Sequence, residues 1–174
     1  MKQPTTTRPK RRTSGPSTAG ATRGPDAEAL VVRPVRRADL PQVIAIDATV
    51  TGLEKRDYWQ SIYRRYGAPG QLTRQFLVAQ AGEHVVGFVI GEVRDWAFGS
   101  PPCGWVFAID VRPDSRQAGI GTRLLEAICA GFRRAGVDNV RTILGRDNTL
   151  ILSFFRSQGM MTGPFIPLEM DLGA

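Results

Sequence analysis

The 174-residue sequence has little of what several protein classes require. It contains no apolar run long enough to span a bilayer, and the first residues lack the apolar core of a secretory signal peptide. One histidine and two cysteines argue against a histidine-based metal site, a catalytic triad and a disulfide framework. We therefore expect a cytoplasmic protein with reduced, packed thiols, no membrane partner and no metal.

The positive charge is concentrated near the N-terminus. Of the net charge of +7, residues 1–29 hold six basic and two acidic side chains, which is +4. The same segment is rich in Thr, Ser, Pro, Gly and Arg and poor in aliphatic residues, so it cannot offset its ordering entropy by burial. The sequence predicts a disordered basic tail over residues 1–29 and a single domain over residues 30–174.

The basic cluster at residues 8–12 of the tail allows three interpretations. It could contact nucleic acid or another acidic surface. A solubilising tail or an uncharacterised leader explains the same composition, and we favour it. An organellar transit peptide is the third alternative, because the tail is rich in Arg, Ser and Thr and poor in acids.

Apolar periodicity and turn residues predict the order β-α-α-β-β-β-α-β-α-β. Helices are expected from the cap at Asp39 to Gly52, over 55–66 and 120–135, and from a cap at Asp147 or Asn148 to Gly159. The predicted strands are 31–36, 75–80, 85–95, 105–111, 140–144 and 168–172. This order implies a mixed sheet with helices on both faces.

Residues 105–135 carry the strongest chemical pattern: an apolar strand, a glycine-rich turn and an amphipathic helix. Glycines at the start of a helix let backbone N–H groups approach an anion that the helix N-terminus already favours. Gly119 and Gly121 lie there, and Arg116 adds a cation. These residues indicate a phosphate or pyrophosphate site, although the two glycines alone fit an ordinary tight turn equally well.

The run from Arg116 to Gly121 resembles the acetyl-CoA signature of the GNAT superfamily of N-acetyltransferases, (Q/R)-x-x-G-x-(G/A). A second similarity is Asn148, which opens a helix that ends in Gly159 and Met160. The resemblance extends over residues 31–172 and implies a mixed α/β (α+β) fold. That fold has a twisted, mostly antiparallel sheet of about seven strands, with helices on both faces and a splay between the fourth and fifth strands.

The resemblance also implies a role for each matching position. Backbone N–H groups from Gln117 to Thr122 would hold the pyrophosphate of acetyl-CoA, and the end of the central strand would pair with its pantetheine arm. The N–H of Val111 would polarise the thioester carbonyl, and Asn148 would lie near the pantetheine. The residues implied at the cofactor are Ile109, Asp110, Val111, Arg116, Gln117, Ala118, Gly119, Ile120, Gly121, Thr122, Asn148 and Phe155.

The sequence departs from the family at the acid and the base. Many members have a Tyr seven residues after the Asn as the acid toward the thiolate, and this chain has Phe155 there. No Glu precedes Asn148 on residues 142–144, where members that modify ribosomal-protein N-termini place a base. Asp110 is our candidate base, acting through water, and the alternative is a structural carboxylate. Glu92 is the other carboxylate near the expected cleft.

The resemblance implies transfer of acetyl from acetyl-CoA to a primary amine of a small molecule or peptide, by direct attack in a ternary complex. The alternatives are a catalytically weak or inactive acyl-CoA-binding regulatory module and a protein N-terminal acetyltransferase. A nucleic-acid-associated protein acting through its tail is a further alternative, which we disfavour. Segments 52–70, 95–102 and 160–168 are expected to select the acceptor. C-terminal edge strands often pair in this superfamily, which would give a homodimer, but the sequence leaves the oligomeric state open.

Overall fold

A computed structural model of the chain describes residues 29–96, 99–116 and 118–173. The predicted tail therefore lies almost entirely outside the described residues, and so does Gln117. Two short 3-10 turns, Arg37–Asp39 and Pro113–Ser115, precede α1 and the turn before α3. The elements are β1 (Val31–Pro34), α1 (Leu40–Thr51), α2 (Arg56–Tyr66), β2 (Arg74–Ala81), β3 (His84–Arg94), β4 (Cys103–Val111), α3 (Ile120–Arg134), β5 (Val140–Arg141) and α4 (Thr149–Ser157).

The sheet has the strand order β1-β2-β3-β4-β5 in the part of the chain that the structure describes. The first four strands are each antiparallel to their neighbours. β5 lies parallel to β4, because α3 carries the chain back along the sheet between them. This confirms the predicted mixed, mostly antiparallel sheet.

Helices cover both faces of the sheet, as predicted. On one face, Val43 of α1 and Trp59 of α2 are buried against Phe88 of β3. On the other face, Leu124 and Phe132 of α3 are fully buried in a second cluster that also receives α4. Burying each such large apolar side chain contributes roughly 1.5–3 kcal/mol, so the two helix layers fix the sheet between them.

The sheet opens between β4 and β5, which confirms the predicted splay. β5 pairs with only the first part of β4, at Gly104 and Trp105. From Val106 to Val111, β4 has β3 on one side and no described strand on the other. The backbone groups on that side of β4 are therefore available to a ligand.

A β-bulge at Phe107 shapes the open part of β4. Ile90 pairs with Ala108 but Gly91 pairs with Val106, so Phe107 has no partner on β3. Gly91 is required beside the bulge, because a Cβ there would lie 2.5 Å from the Trp105 carbonyl oxygen. The bulge leaves Phe107 37% exposed, although the strand around it is apolar in sequence.

The predicted count of about seven strands is too high, since the described residues form five. The predicted strand over 140–144 ends at Arg141, and residues 168–172 form no strand. Leu168 is 93% exposed and Leu172 is 90% exposed. A segment of alternating apolar residues forms a strand only when it can pair with a sheet edge and pack one face against a core. Here β5 has only two residues and is too short to serve as that edge.

Asp39 does not cap α1 as predicted. Its backbone is helical, and its carboxylate accepts hydrogen bonds from the Arg36 N–H at 2.6 Å and from the Arg33 guanidinium at 2.7 and 2.8 Å. Burial raises the pKa of Asp39, but these hydrogen bonds outweigh it and hold the pKa below its ordinary value. The residue thus closes the turn before α1 instead of capping the helix.

Glycines follow three of the helices, which confirms the stops predicted at Gly52 and Gly159. Gly52, Gly136 and Gly159 follow α1, α3 and α4 with φ of 71°, 80° and 83°, in the left-handed region that only glycine adopts freely. Local backbone chemistry therefore sets these helix ends, independently of how the helices pack.

Candidate active site

The turn into α3 leaves the helix N-terminus open to an anion. Gly119 occupies the N-cap position with φ of 72°, and a Cβ there would meet nothing within 4 Å. No side chain caps the helix and no acid lies in its first turn. The N–H groups of Ile120, Gly121 and Thr122 therefore have no intrahelical acceptor and form a positive concavity.

Gly121 has a different role. A Cβ on this residue would lie 3.0 Å from Cε2 of Phe154 on α4, in a half-buried contact between the two helices. Gly119 thus serves the backbone conformation of the turn, while Gly121 allows α4 to pack against the start of α3. The two glycines that indicated one anion site have separate physical roles.

Arg116 joins the turn to the end of β4. Its Nε donates to the Val111 carbonyl oxygen at 3.3 Å, and its side chain is exposed. Ala118 is also exposed, and Thr122 is half-buried. The Arg116 contact therefore ties the turn before α3 to the end of β4.

The backbone at this end of β4 presents a hydrogen-bond donor to the open side. The Arg112 N–H donates to the Val86 carbonyl at 2.9 Å, toward β3. Because successive N–H groups of an antiparallel strand point to opposite sides, the N–H of Val111 points away from β3. The N–H of Ile109 points the same way, so two donors line the edge beside the anion site.

Asp110 lies between Ile109 and Val111 on β4, and its own N–H points to the other side, toward β3. It pairs with Phe88 of β3, and its side chain is on the sheet face covered by α1 and α2. Burial first, and then the negative charge of Asp47, raise the pKa of Asp110 from 3.8 to about 6. Arg116 and Lys55 oppose this rise. A carboxylate with this pKa can accept a proton near neutral pH and release it again.

A buried cluster in the helix layer, absent from the predicted site, lies on the same sheet face. Asp47 of α1 accepts a hydrogen bond from the Trp59 indole N–H at 2.8 Å and forms an ion pair with Lys55 at 3.0 Å. Its side chain is only 7% exposed. The sequence signal is a single carboxylate at a buried position of an otherwise apolar helix, within VIAIDATV.

Glu92, the other carboxylate considered for the base, is already engaged. It accepts a hydrogen bond from the Tyr66 hydroxyl at 2.8 Å and pairs with Arg94 at 3.0 Å. It lies four residues from Phe88 on β3, which is roughly 13 Å along the strand. Glu92 is therefore remote from the end of β4 where the donors and the anion site meet.

At the start of α4, Asn148 caps the helix as predicted. Its Oδ1 accepts a hydrogen bond from the Ile151 N–H at 3.2 Å, and the residue is exposed. Phe155 is 4% exposed and belongs to the core cluster around α3. The position where a tyrosine would donate a proton is thus an apolar packing position here.

Two further features of the described ranges bear on function. They contain no group of three or more His, Cys, Asp or Glu side chains arranged to hold a metal ion. None of their helices is long and apolar enough to cross a membrane.

The molecule thus has a mixed α/β fold with an open strand edge beside the uncapped start of a helix. The profile of the "Acetyltransferase (GNAT) family" matches residues 43–160, most of the chain, and the chain belongs to that family. It is 28% identical over 143 residues to a mycothiol acetyltransferase of Saccharomonospora viridis, covering 80% of this chain and 44% of that protein. The chain thus spans less than half the length of this curated relative.

Solved structures show the same fold at low sequence identity. An aminoglycoside N-acetyltransferase, AAC(6')-Iy in complex with CoA, has a TM-score of 0.74 and 16% identity, covering 86% of this chain and 99% of its own. A transcriptional regulator from Bacillus halodurans has a TM-score of 0.70 and 16% identity, covering 83% and 100%. The fold alone therefore does not define the acceptor.

Proposed function

We propose that this chain transfers the acetyl group of acetyl-CoA to a primary amine of a small molecule. One observation carries the proposal: the anion site at the start of α3, the outward N–H of Val111 and the carboxylate of Asp110 meet at the end of β4. Family membership and the CoA bound to a structural neighbour support the same chemistry.

The residues present fit coenzyme A. The uncapped N–H groups of Ile120, Gly121 and Thr122, with Arg116 beside them, match a pyrophosphate. The unpaired edge of β4 matches an arm that pairs as a strand would. When bound, acetyl-CoA supplies the activated acetyl thioester, and the N–H of Val111 is the donor that polarises its carbonyl.

Asp110 acts as the general base in this proposal. It takes the proton of the acceptor ammonium through a water molecule, and the neutral amine attacks directly in a ternary complex. A pKa of about 6 leaves Asp110 ionised above neutral pH and still basic enough to accept the proton. Phe155 has no proton to donate, so water protonates the leaving thiolate and free CoA thiol results.

The acceptor is a small amine in this proposal, because a neighbouring aminoglycoside acetyltransferase was solved with a bisubstrate analogue of acetylneamine. A protein N-terminal amine is the runner-up acceptor. The unpaired Cys103 and Cys129 fit a reducing, cytoplasmic location. Homodimer formation and a nucleic-acid contact of the tail stay predictions.

A second candidate function is an acyl-CoA-binding module without turnover, which the buried Phe155 favours. A screen separates the two functions. Acetyl-CoA is incubated with neamine, sisomicin, an amino sugar, a polyamine and a peptide, and free thiol is followed. We expect amine-dependent thiol release that is strongly reduced in Asp110→Asn. Tight CoA binding with no thiol release for any amine would establish the binding module.

A further inference from the structure

A buried carboxylate in α1 has a place in the fold that packing alone does not explain. Asp47 is 5% exposed, in a helix whose other buried side chains are apolar. Replacing a buried ion pair by apolar groups is often neutral or stabilising, so such a pair is weak evidence for a role in stability. We therefore looked for a functional role for the buried charge of Asp47.

Two contacts orient Asp47. The Trp59 indole N–H donates to Oδ2 at 2.8 Å, and Lys55 Nζ lies 3.0 Å from Oδ2 and 3.1 Å from Oδ1. Trp59 is 2% exposed, so its direction is fixed by the core. Lys55 is the residue directly before α2, and its side chain is about a third exposed. The cluster thus joins α1 to the start of α2 and reaches solvent only through Lys55.

A chain of contacts connects this cluster to Asp110. The Trp59 ring packs edge-on against Phe88, with ring centroids 5.0 Å apart. Phe88 and Asp110 are directly opposite each other on β3 and β4 and therefore share a sheet face. The Asp47 carboxylate and the Lys55 ammonium lie over the part of the sheet from which the Asp110 side chain projects.

We propose that Asp47 and Lys55 are positioning residues for the acetyl transfer: their ion pair holds α2 over the sheet and places one negative and one positive charge beside the Asp110 carboxylate. This inference rests on the proposed function, in which Asp110 is the base. Neither residue touches the reacting atoms. Their role is to fix the charge environment in which Asp110 exchanges its proton.

The charges that face Asp110 come from three directions in the described structure. Asp47 on α1 disfavours the ionised carboxylate, whereas Arg116 in the turn and Lys55 before α2 favour it. β3 contributes the uncharged Phe88. If the ion pair were only a structural contact, removing either partner would change the protein in the same direction. An electrostatic role predicts that removing Asp47 and removing Lys55 shift the pKa of Asp110 in opposite directions.

The test is the titration of the Asp110 carboxyl carbon by carbon-13 NMR in the full chain, which needs no acceptor. The wild-type midpoint is expected at about pH 6. Asp47→Asn keeps an acceptor for Trp59 but removes the charge, and should lower the midpoint by roughly one pH unit. Lys55→Gln should raise it by roughly half a unit, and Lys55→Arg should restore it.

Two controls separate charge from packing. Glu54→Gln removes an exposed carboxylate next to Lys55 and should leave the midpoint unchanged. Trp59→Phe removes a hydrogen bond to Asp47 but no charge, so it should lower stability with little movement of the midpoint. Shifts of the same sign in Asp47→Asn and Lys55→Gln, or no shift in folded Lys55→Gln, would overturn the inference.

The activity of Asp110→Asn distinguishes this inference from the base assignment. Full acetyl transfer by Asp110→Asn removes Asp110 as the base, and with it the role given to the ion pair, even where the midpoints shift as expected. Loss of transfer in Asp110→Asn together with unmoved midpoints keeps the base and overturns the role of Asp47 and Lys55.

Discussion

Asp110→Asn should stabilise the fold at neutral pH while it removes the proposed base. The folded protein holds the Asp110 proton more tightly than the unfolded chain, because the pKa is raised from 3.8 to about 6. At about 1.36 kcal/mol per pH unit, keeping this carboxylate ionised above pH 6 costs the fold about 3 kcal/mol. Partial exposure of the side chain makes that figure an upper limit, and we expect a gain of about 1–3 kcal/mol in Asp110→Asn.

The sign of the pH dependence follows from the direction of the shift. Below about pH 4 the Asp110 carboxyl is protonated in both states and does not change the free energy of unfolding. Between about pH 4 and pH 6 it increasingly lowers the free energy of unfolding, and above that range its effect is constant. Asparagine does not titrate, so the advantage of the variant over wild type should grow over the same interval and then level off.

The assay is urea unfolding of both proteins at a series of pH values between about 4.5 and 8. In parallel, acetyl transfer by Asp110→Asn should fall about 10²–10⁴-fold, the range for loss of a general base. Asp114→Asn is the matched control, since this exposed carboxylate lies four residues away and should change neither property much. A variant that is less stable than wild type at pH 7, or equally more stable at every pH, would refute the reasoning.

Three other predictions follow from the contacts around the site. Arg116→Gln should raise the KM for acetyl-CoA about tenfold with little change in kcat, as measured by steady-state kinetics. Arg112→Gln is the control and should leave this KM unchanged, because the Arg112 guanidinium is held in an ion pair with Asp114. Gly119→Ala should cost about 1 kcal/mol of stability at φ of 72° and weaken CoA binding in calorimetry; unchanged unfolding would exclude strain at this turn. Arg33→Gln should cost about 2–4 kcal/mol at pH 7 by stranding the buried Asp39 carboxylate. Because the pKa of Asp39 is lowered, that penalty should shrink as the pH falls through it, and a pH-independent penalty would contradict the pairing.

The strand-turn-helix unit could be predicted because its signals are local. The four-residue apolar spacing of α3 and the left-handed glycines at 119 and 136 depend on neighbouring residues only. The capping role of Asn148 is local in the same way. The helix and the cap were predicted correctly, and the anion site at the start of α3 stays a prediction.

The rest of the site depends on contacts between distant segments. Asp47 meets Trp59 twelve residues later, and both lie near Asp110 only once the helix layer has packed on the sheet. The bulge at Phe107 is likewise a property of the β3–β4 pairing and leaves no mark in its own residue type. Segment 168–172 shows the opposite error: its alternating apolar residues predict a strand, but no strand forms there because no neighbouring strand of the described residues is placed to pair with it.

The central claim is acetyl transfer to an amine at the end of β4, and the acetylated acceptor itself tests it most directly. The full chain is incubated with acetyl-CoA and each amine of the panel at about pH 8, and the products are identified by mass spectrometry while free CoA is quantified. The account predicts that at least one amine gains an acetyl group, mole for mole with CoA, and that Asp110→Asn largely abolishes this product. CoA that binds at the α3 turn while no amine is acetylated would contradict the account.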